Sequence, residues 1–232
     1  MKSRTPDPAQ IDSAAAFADH FNVSRETLAR LTAYQALLGK WQKAINLVGP
    51  ATLSQFWARH VADSAQILSL APKGAETWLD FGSGAGFPGL VLAIMLAETS
   101  PQACVHMVES DRKKVNFLRT VLRDTGIAAH VHHARIEALA ADRPAALARV
   151  DVVTARALAP LAGLLGHMQP FVNSSTVALF HKGREWQEEL TPCRKNWNMH
   201  VEVHASRTDA AARILEISRL ETCHDADQPA AF

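Results

Sequence analysis

The sequence predicts an α/β fold: a mostly parallel seven-stranded sheet, a terminal antiparallel strand pair and an N-terminal helical cap. Three observations carry this. From Thr77 onward, short apolar runs that read as strands alternate with amphipathic stretches that read as helices, the pattern of a doubly wound sheet. Directly after the first run, Gly82, Gly84, Gly86 and Gly89 place four glycines within eight residues. The last two extended stretches are separated by a turn-length segment with no helix, so they should pair antiparallel.

Residues 1–8 carry two prolines and mixed charge and read as a loose tail. Residues 9–21 read as a short helix with Phe17 and Phe21 on one side. Ser24 is placed to cap a second helix, with Glu26 in its first turn. Leu28, Leu31, Leu38, Trp41 and Ile45 then recur at helical spacings until Gly49-Pro50. A further helix is expected over 54–70, closed by Pro72 and Gly74. These elements make a cap over residues 1–72.

The helical pattern gives way at Trp78-Leu79 to a buried first strand over 77–81. Pro88 suits the first turn of a helix over 88–97. A strand over 103–109 follows, ending at Glu109. A helix over 111–124 then has Val115, Leu118 and Leu122 on one face and Gly126 as its stop. Strands are expected at 129–133, 150–155 and 176–180, with helices at 160–168 and 184–190. Extended stretches at 200–206 and 213–219 finish a domain over 73–220. The polar, alanine-rich residues 221–232 are expected to be a disordered tail.

Bulk properties exclude little. With 232 residues, 48% hydrophobic and 20% charged, the chain suits one soluble domain with an extension. No apolar run reaches membrane-spanning length, and the N-terminus lacks the apolar core of a signal peptide. Three cysteines form no framework, which fits a cytoplasmic protein. The net charge of +1 means that any nucleic-acid surface must concentrate its basic residues on one face.

The glycine loop leaves main-chain N–H groups at a helix N-terminus and lets a ligand approach the backbone. The dinucleotide fingerprint needs a third glycine at 87, where this chain has Phe87. The loop therefore fits a pyrophosphate poorly and S-adenosylmethionine better. Glu109, 27 positions after Gly82, can accept both ribose hydroxyls of either ligand. Arg112, Lys113, Lys114, Arg119 and Arg123 form a basic helix edge, either a solvated face or a phosphate-contacting surface. Arg59-His60 and Lys182-Gly183-Arg184 would extend it. His130, His132 and His133 look like a metal cluster, but strand alternation splits them and no carboxylate or cysteine sits at ligand spacing, so no metal is expected.

Neither Cys104, inside a strand, nor Cys193, in a polar helix, reads as a thiolate nucleophile. After the fourth strand, Thr154 to Pro160 lacks the Asn/Asp-Pro-Pro-aromatic tetrapeptide usual for methylation of exocyclic amines. Both absences point to a target that is already nucleophilic, such as guanine N7. Its methylation needs alignment more than a general base, so no catalytic base is expected.

At this point the residues resemble the RsmG (GidB) family of bacterial small-subunit rRNA methyltransferases. The resemblance runs from about Leu31 to Arg219. It rests on Leu38-Gly39-Lys40-Trp41-Gln42-Lys43-Ala44-Ile45-Asn46-Leu47, Arg59-His60-Val61-Ala62-Asp63-Ser64, Leu79 to Gly89, Val108 to Lys114, Arg135-Ile136-Glu137, Thr154-Ala155-Arg156-Ala157 and Lys182-Gly183. It implies a Rossmann-like class I methyltransferase that uses S-adenosyl-L-methionine to methylate N7 of guanine 527 in 16S rRNA of the small ribosomal subunit. It places cofactor contacts on Gly82, Phe87, Ile136, Glu137 and Arg156, with Glu109 added on the ribose argument. Arg59, His60, Asp63 and Ser64 would shape the pocket, touch RNA, or lock the cap to the sheet. Gln42 and Val48 depart from the family pattern. A monomer is expected. The competing readings are an NAD-dependent oxidoreductase and a non-catalytic RNA-binding module.

Overall fold

A computed structural model describes residues 11–223. Among the described residues, seven strands form one sheet: β1 (Thr77–Phe81), β2 (Cys104–Glu109), β3 (His130–His133), β4 (Val152–Arg156), β5 (Val177–Lys182), β6 (Trp197–Ala205) and β7 (Arg213–Thr222). Their order is β3-β2-β1-β4-β5-β7-β6. The first five run parallel, and β7 is antiparallel to both β5 and β6. The expected terminal pair is present, with β7 slotted inside and β6 at the edge. The order reverses between β1 and β4, and ligands bind α/β sheets at such a switch point.

Helices cover both faces. α4 (Gly89–Thr99) and α5 (Arg112–Thr125) lie on one face, with the N-terminal helices α1 (Ala14–Phe21) and α2 (Arg25–Trp41) joining the same apolar cluster. The other face carries α6 (Ile136–Asp142), α7 (Leu161–Met168) and α8 (Trp186–Cys193). α4 is buried all round from Gly89 to Leu96, which explains why its sequence is apolar without a polar face. Asp111 caps α5 by accepting from the Lys113 and Lys114 amides, and Gly126 ends it in the left-handed conformation at φ 66°. Among the described residues, no helix is long and apolar enough to cross a membrane.

The cap departs from its expected form. α2 stops at Trp41, not at Ile45. Gln42 closes the loop beyond it: Oε1 accepts from the Leu47 and Val48 amides at 3.0 Å each, and Nε2 donates to Val48 O at 2.8 Å. The helix expected over 54–70 is broken into a 3₁₀ stretch (Pro50–Gln55), a π-helical stretch (Phe56–Ala62), α3 (Asp63–Ala65) and a 3₁₀ end (Gln66–Ser69). Apolar periodicity cannot see this widening, because Phe56, Trp57 and Val61 stay buried in either geometry. β6 begins at Trp197, three residues before the expected start, and β7 runs through Thr222. Glu221 and Thr222 are therefore strand and not tail; residues 224–232 lie outside the described part.

Phe117 joins cap and sheet. It is fully buried and meets Tyr34 and Trp41 at ring separations of 6.2 and 5.7 Å. Phe117→Ala should lower unfolding free energy by about 3–5 kcal/mol in urea titration. A loss under about 1 kcal/mol would show that the cap does not share the sheet's core.

Candidate active site

Asp80 is the last residue but one of β1, and its carboxylate organises the loop behind it. Oδ1 accepts from Thr154 Oγ1 at 2.7 Å and Oδ2 from the Gly89 amide at 3.2 Å. The acid thus ties β1 to β4 and caps α4, where negative charge is favoured. Burial pushes its pKa up to about 6, while Ser83, Thr154 and Gly89 act the other way. Both oxygens accept from donors, the pattern of an ionised carboxylate.

The loop needs its glycines. Gly82 holds φ 60°, and a Cβ there would run into the Leu158 side chain. A Cβ at Gly89 would lie 2.7 Å from Asp80 Oδ2 and 2.7 Å from Met107. Glu109, at the end of β2, fixes the far side of the loop: Oε2 accepts from the Gly84 amide at 2.9 Å and Oε1 from the Asp111 amide at 2.7 Å. Each oxygen keeps a lone pair for a ligand hydroxyl. Tyr34 of α2 donates to Ala85 O at 2.5 Å, so the cap also holds the loop.

Two clefts meet here. The first, about 370 Å³, lies over the ends of β1, β2 and β4. Gly82, Phe87, Glu109, Ile136, Glu137 and Arg156 all line it, so every expected cofactor contact falls in one place. The second, about 610 Å³, lies between the cap, β5 and the β6–β7 connection. Arg59, His60, Asp63 and Lys182 line it. Leu47, Val48, Arg156 and Ala157 border both clefts.

Arg156 is the partition. Nη1 donates to Arg59 O at 2.9 Å and to Asp63 Oδ2 at 3.1 Å, and Nη2 meets His60 Nδ1 at 3.0 Å. Its guanidinium lies 4.9 Å from the centre of the Phe87 ring, on which His60 also stacks at 4.7 Å. Burial and the Arg156 charge push the His60 pKa down to about 4, so the ring is neutral near pH 7. Nδ1 then accepts from Arg156 while Nε2 faces Thr52 Oγ1 at 3.0 Å. Burial pushes Asp63 up, but His181, Arg156 and Thr208 outweigh it and hold its carboxyl below the ordinary value.

Other expected residues fall elsewhere. Ser64 is fully buried and donates to His60 O at 2.6 Å, so it braces the π-helical stretch and lines neither cleft. Arg112 and Lys113 are exposed at the start of α5 and border neither cleft; Lys114 lines the first. Lys182 is buried and its ammonium is taken up by Glu189 at 2.5 Å and Ala159 O at 3.2 Å. Sequence reading missed Leu47 and Val48, His181, Thr208 and Asp209 as cleft residues. Leu47 stood in a quoted motif and could have been found; Thr208 and Asp209 carry no local signal, since only β7's insertion brings them there.

A glycine loop facing a strand-end carboxylate, on a sheet with an inserted antiparallel β7, defines the Rossmann-like class of S-adenosylmethionine-dependent methyltransferases. Solved structures agree in fold. The cofactor-bound Rv0187 protein from MTB covers 94% of this chain and 100% of its own at TM-score 0.61 and 15% identity. A mutant of MtNAS in complex with S-adenosylmethionine covers 91% and 87% at TM-score 0.53 and 12% identity. The family model described as rRNA small subunit methyltransferase G, GidB, matches residues 27–216. The ribosomal RNA small subunit methyltransferase G of Parvibaculum lavamentivorans is 48% identical over 213 residues, 92% of each chain. That of Rhodospirillum centenum is 49% identical over 218 residues, 94% of this chain and 96% of its own. The chain belongs to the rRNA small subunit methyltransferase G (GidB) family.

The neutral His60 has a pH consequence. Its folded pKa, near 4, lies below the unfolded value of 6.5. The unfolded state therefore binds the extra proton, and stability present above pH 6.5 is lost as pH falls towards 4. His60→Asn should flatten part of that fall in urea titrations across the window, leaving a remainder from His106, also lowered to about 4 by burial. An unchanged slope would show that His60 is not held neutral by this site.

Proposed function

We propose that this chain transfers the methyl group of S-adenosyl-L-methionine to N7 of guanine 527 in 16S rRNA, with cofactor in the first cleft and guanine in the second. The observation that carries this is the shared wall: Arg156 and Ala157 border both clefts, so ligands on either side approach each other there. In this reading residues 1–72 act as a cap over a methyltransferase domain spanning 73–220, and one copy of the chain suffices.

The cofactor supplies an electrophilic methyl group on a sulfonium. The glycine loop at Gly82 would receive its amino-acid end, Glu109 would accept from its ribose, and Ile136 and Glu137 would flank its adenine. Transfer to the N7 lone pair would form a C–N bond as the C–S pair returned to sulfur, so positive charge would pass from sulfonium to base and no protein group would have to take up a proton. The chain's task is alignment, which suits a site whose titratable groups are already committed to one another. Phe87, at 4% exposure between Tyr34 and His60, is held as a fixed floor.

An NAD-dependent oxidoreductase is the reading to set against this, and a binding module without catalysis is another. Phe87 at the third glycine position disfavours the first. The test uses 16S rRNA from cells whose only copy carries Gly82→Asp or Arg156→Ala. Mass spectrometry should find guanine N7 methylation at position 527 lost with Gly82→Asp and reduced at least about tenfold with Arg156→Ala. Full methylation with both would sink the site assignment. Calorimetry that found NADH bound in preference to S-adenosylmethionine would sink the reaction class.

A further inference from the structure

The histidines of β3 have neighbours that sequence spacing hides. β3 pairs in parallel with β2, with His106 opposite His130 and Val108 opposite His132. Alternation along both strands puts Cys104, His106, His130 and His132 on one face. The His106 ring stacks on His130 at 4.7 Å and on His132 at 5.3 Å. His106 Nδ1 lies 3.0 Å from His132 Nε2. One donor atom each from Cys104, His106 and His130 lie within 4.8 Å of one another.

We propose that Cys104, His106 and His130 bind a borderline-soft divalent metal ion, zinc above all, at the β2–β3 edge of the sheet. A thiolate with two imidazoles is a donor set that suits zinc and not magnesium or calcium. Ligand atoms around tetrahedral zinc stand about 3.5 Å apart, so the three donors close by only about 1 Å to reach it. Two of them sit on directly paired positions of rigid strands, which holds the set together before the ion arrives. His132 is the hydrogen-bond partner of the His106 ring and fixes its orientation, as outer partners orient ligating histidines. His130 is exposed and gives the ion a path in, with the fourth position open to water. On binding, the Cys104 thiol proton passes to solvent and the sulfur pair forms the metal bond.

The ion would staple the edge strand to its neighbour. β3 leads directly into Ala134–Glu137 of the first cleft, so the clamp steadies one wall of that cleft from outside it. The chemistry of methyl transfer does not pass through the metal.

The test is metal titration of the full chain after chelator treatment. Wild type should bind one equivalent of zinc with micromolar or tighter affinity and gain thermal stability. Its cobalt(II) form should show a thiolate charge-transfer band in the near ultraviolet and strong visible bands of a four-coordinate ion. Cys104→Ser should abolish the charge-transfer band, although Cys193 and Cys223 remain, and His130→Ala should weaken zinc binding at least about tenfold. His130 is exposed, so that variant keeps the fold; its circular dichroism spectrum and S-adenosylmethionine binding without zinc should match wild type. Wild type that binds no stoichiometric zinc, or a Cys104→Ser form with an unchanged cobalt spectrum, would overturn the proposal.

Discussion

The structure depends on how Arg156 is held. One guanidinium at the end of β4 bonds a carbonyl, a carboxylate and an imidazole of the cap and lies against the face of Phe87. Those four partners come from two parts of the chain that are distant in sequence: the π-helical stretch with the adjoining α3, and the glycine loop. An arginine is suited to this, because its planar fork offers donors in two directions. A lysine could satisfy one of these partners at a time. The cap, the loop and the sheet are thereby fixed relative to one another at the boundary of the two clefts.

Around this point the protein spends its charged groups on positioning. Asp80 holds the head of α4 and Thr154, Glu109 holds two loop amides, and Asp63 is taken by Arg156, Thr208 and Gln66. His60 is neutral and bonded on both nitrogens. Such a site is poor in free acids and bases and rich in fixed geometry. That is what transfer to a lone pair requires, since the barrier lies in aligning three atoms and not in moving a proton.

Much of this was legible in the sequence. Strand–helix alternation and the missing final helix gave the sheet and its antiparallel pair, because burial on both faces leaves apolar runs that stand out. The glycine loop and Glu109 were legible because each sits where a strand ends, while Ile136 and Glu137 came only from the family resemblance. What escaped was non-local or hydrogen-bonded. The π-helical stretch depends on backbone bonds that apolar spacing does not report. Thr208 and Asp209 reach the second cleft only through the insertion of β7. Lys182 read as a phosphate contact, but Glu189, seven residues on, takes its charge. Arg112 and Lys113 lie exposed at the start of α5, outside both clefts, while Lys114 beside them lines the first cleft. The neighbours of His130 became visible only with the register of β2 against β3.

The central claim is that Arg156 walls both clefts at once. The most direct measurement is calorimetric titration of Arg156→Ala, in parallel with wild type, with S-adenosylhomocysteine and separately with a short RNA hairpin carrying the target guanine. The account predicts that both affinities fall together, with the protein still folded. A variant that lost only one of the two, or neither, would contradict it.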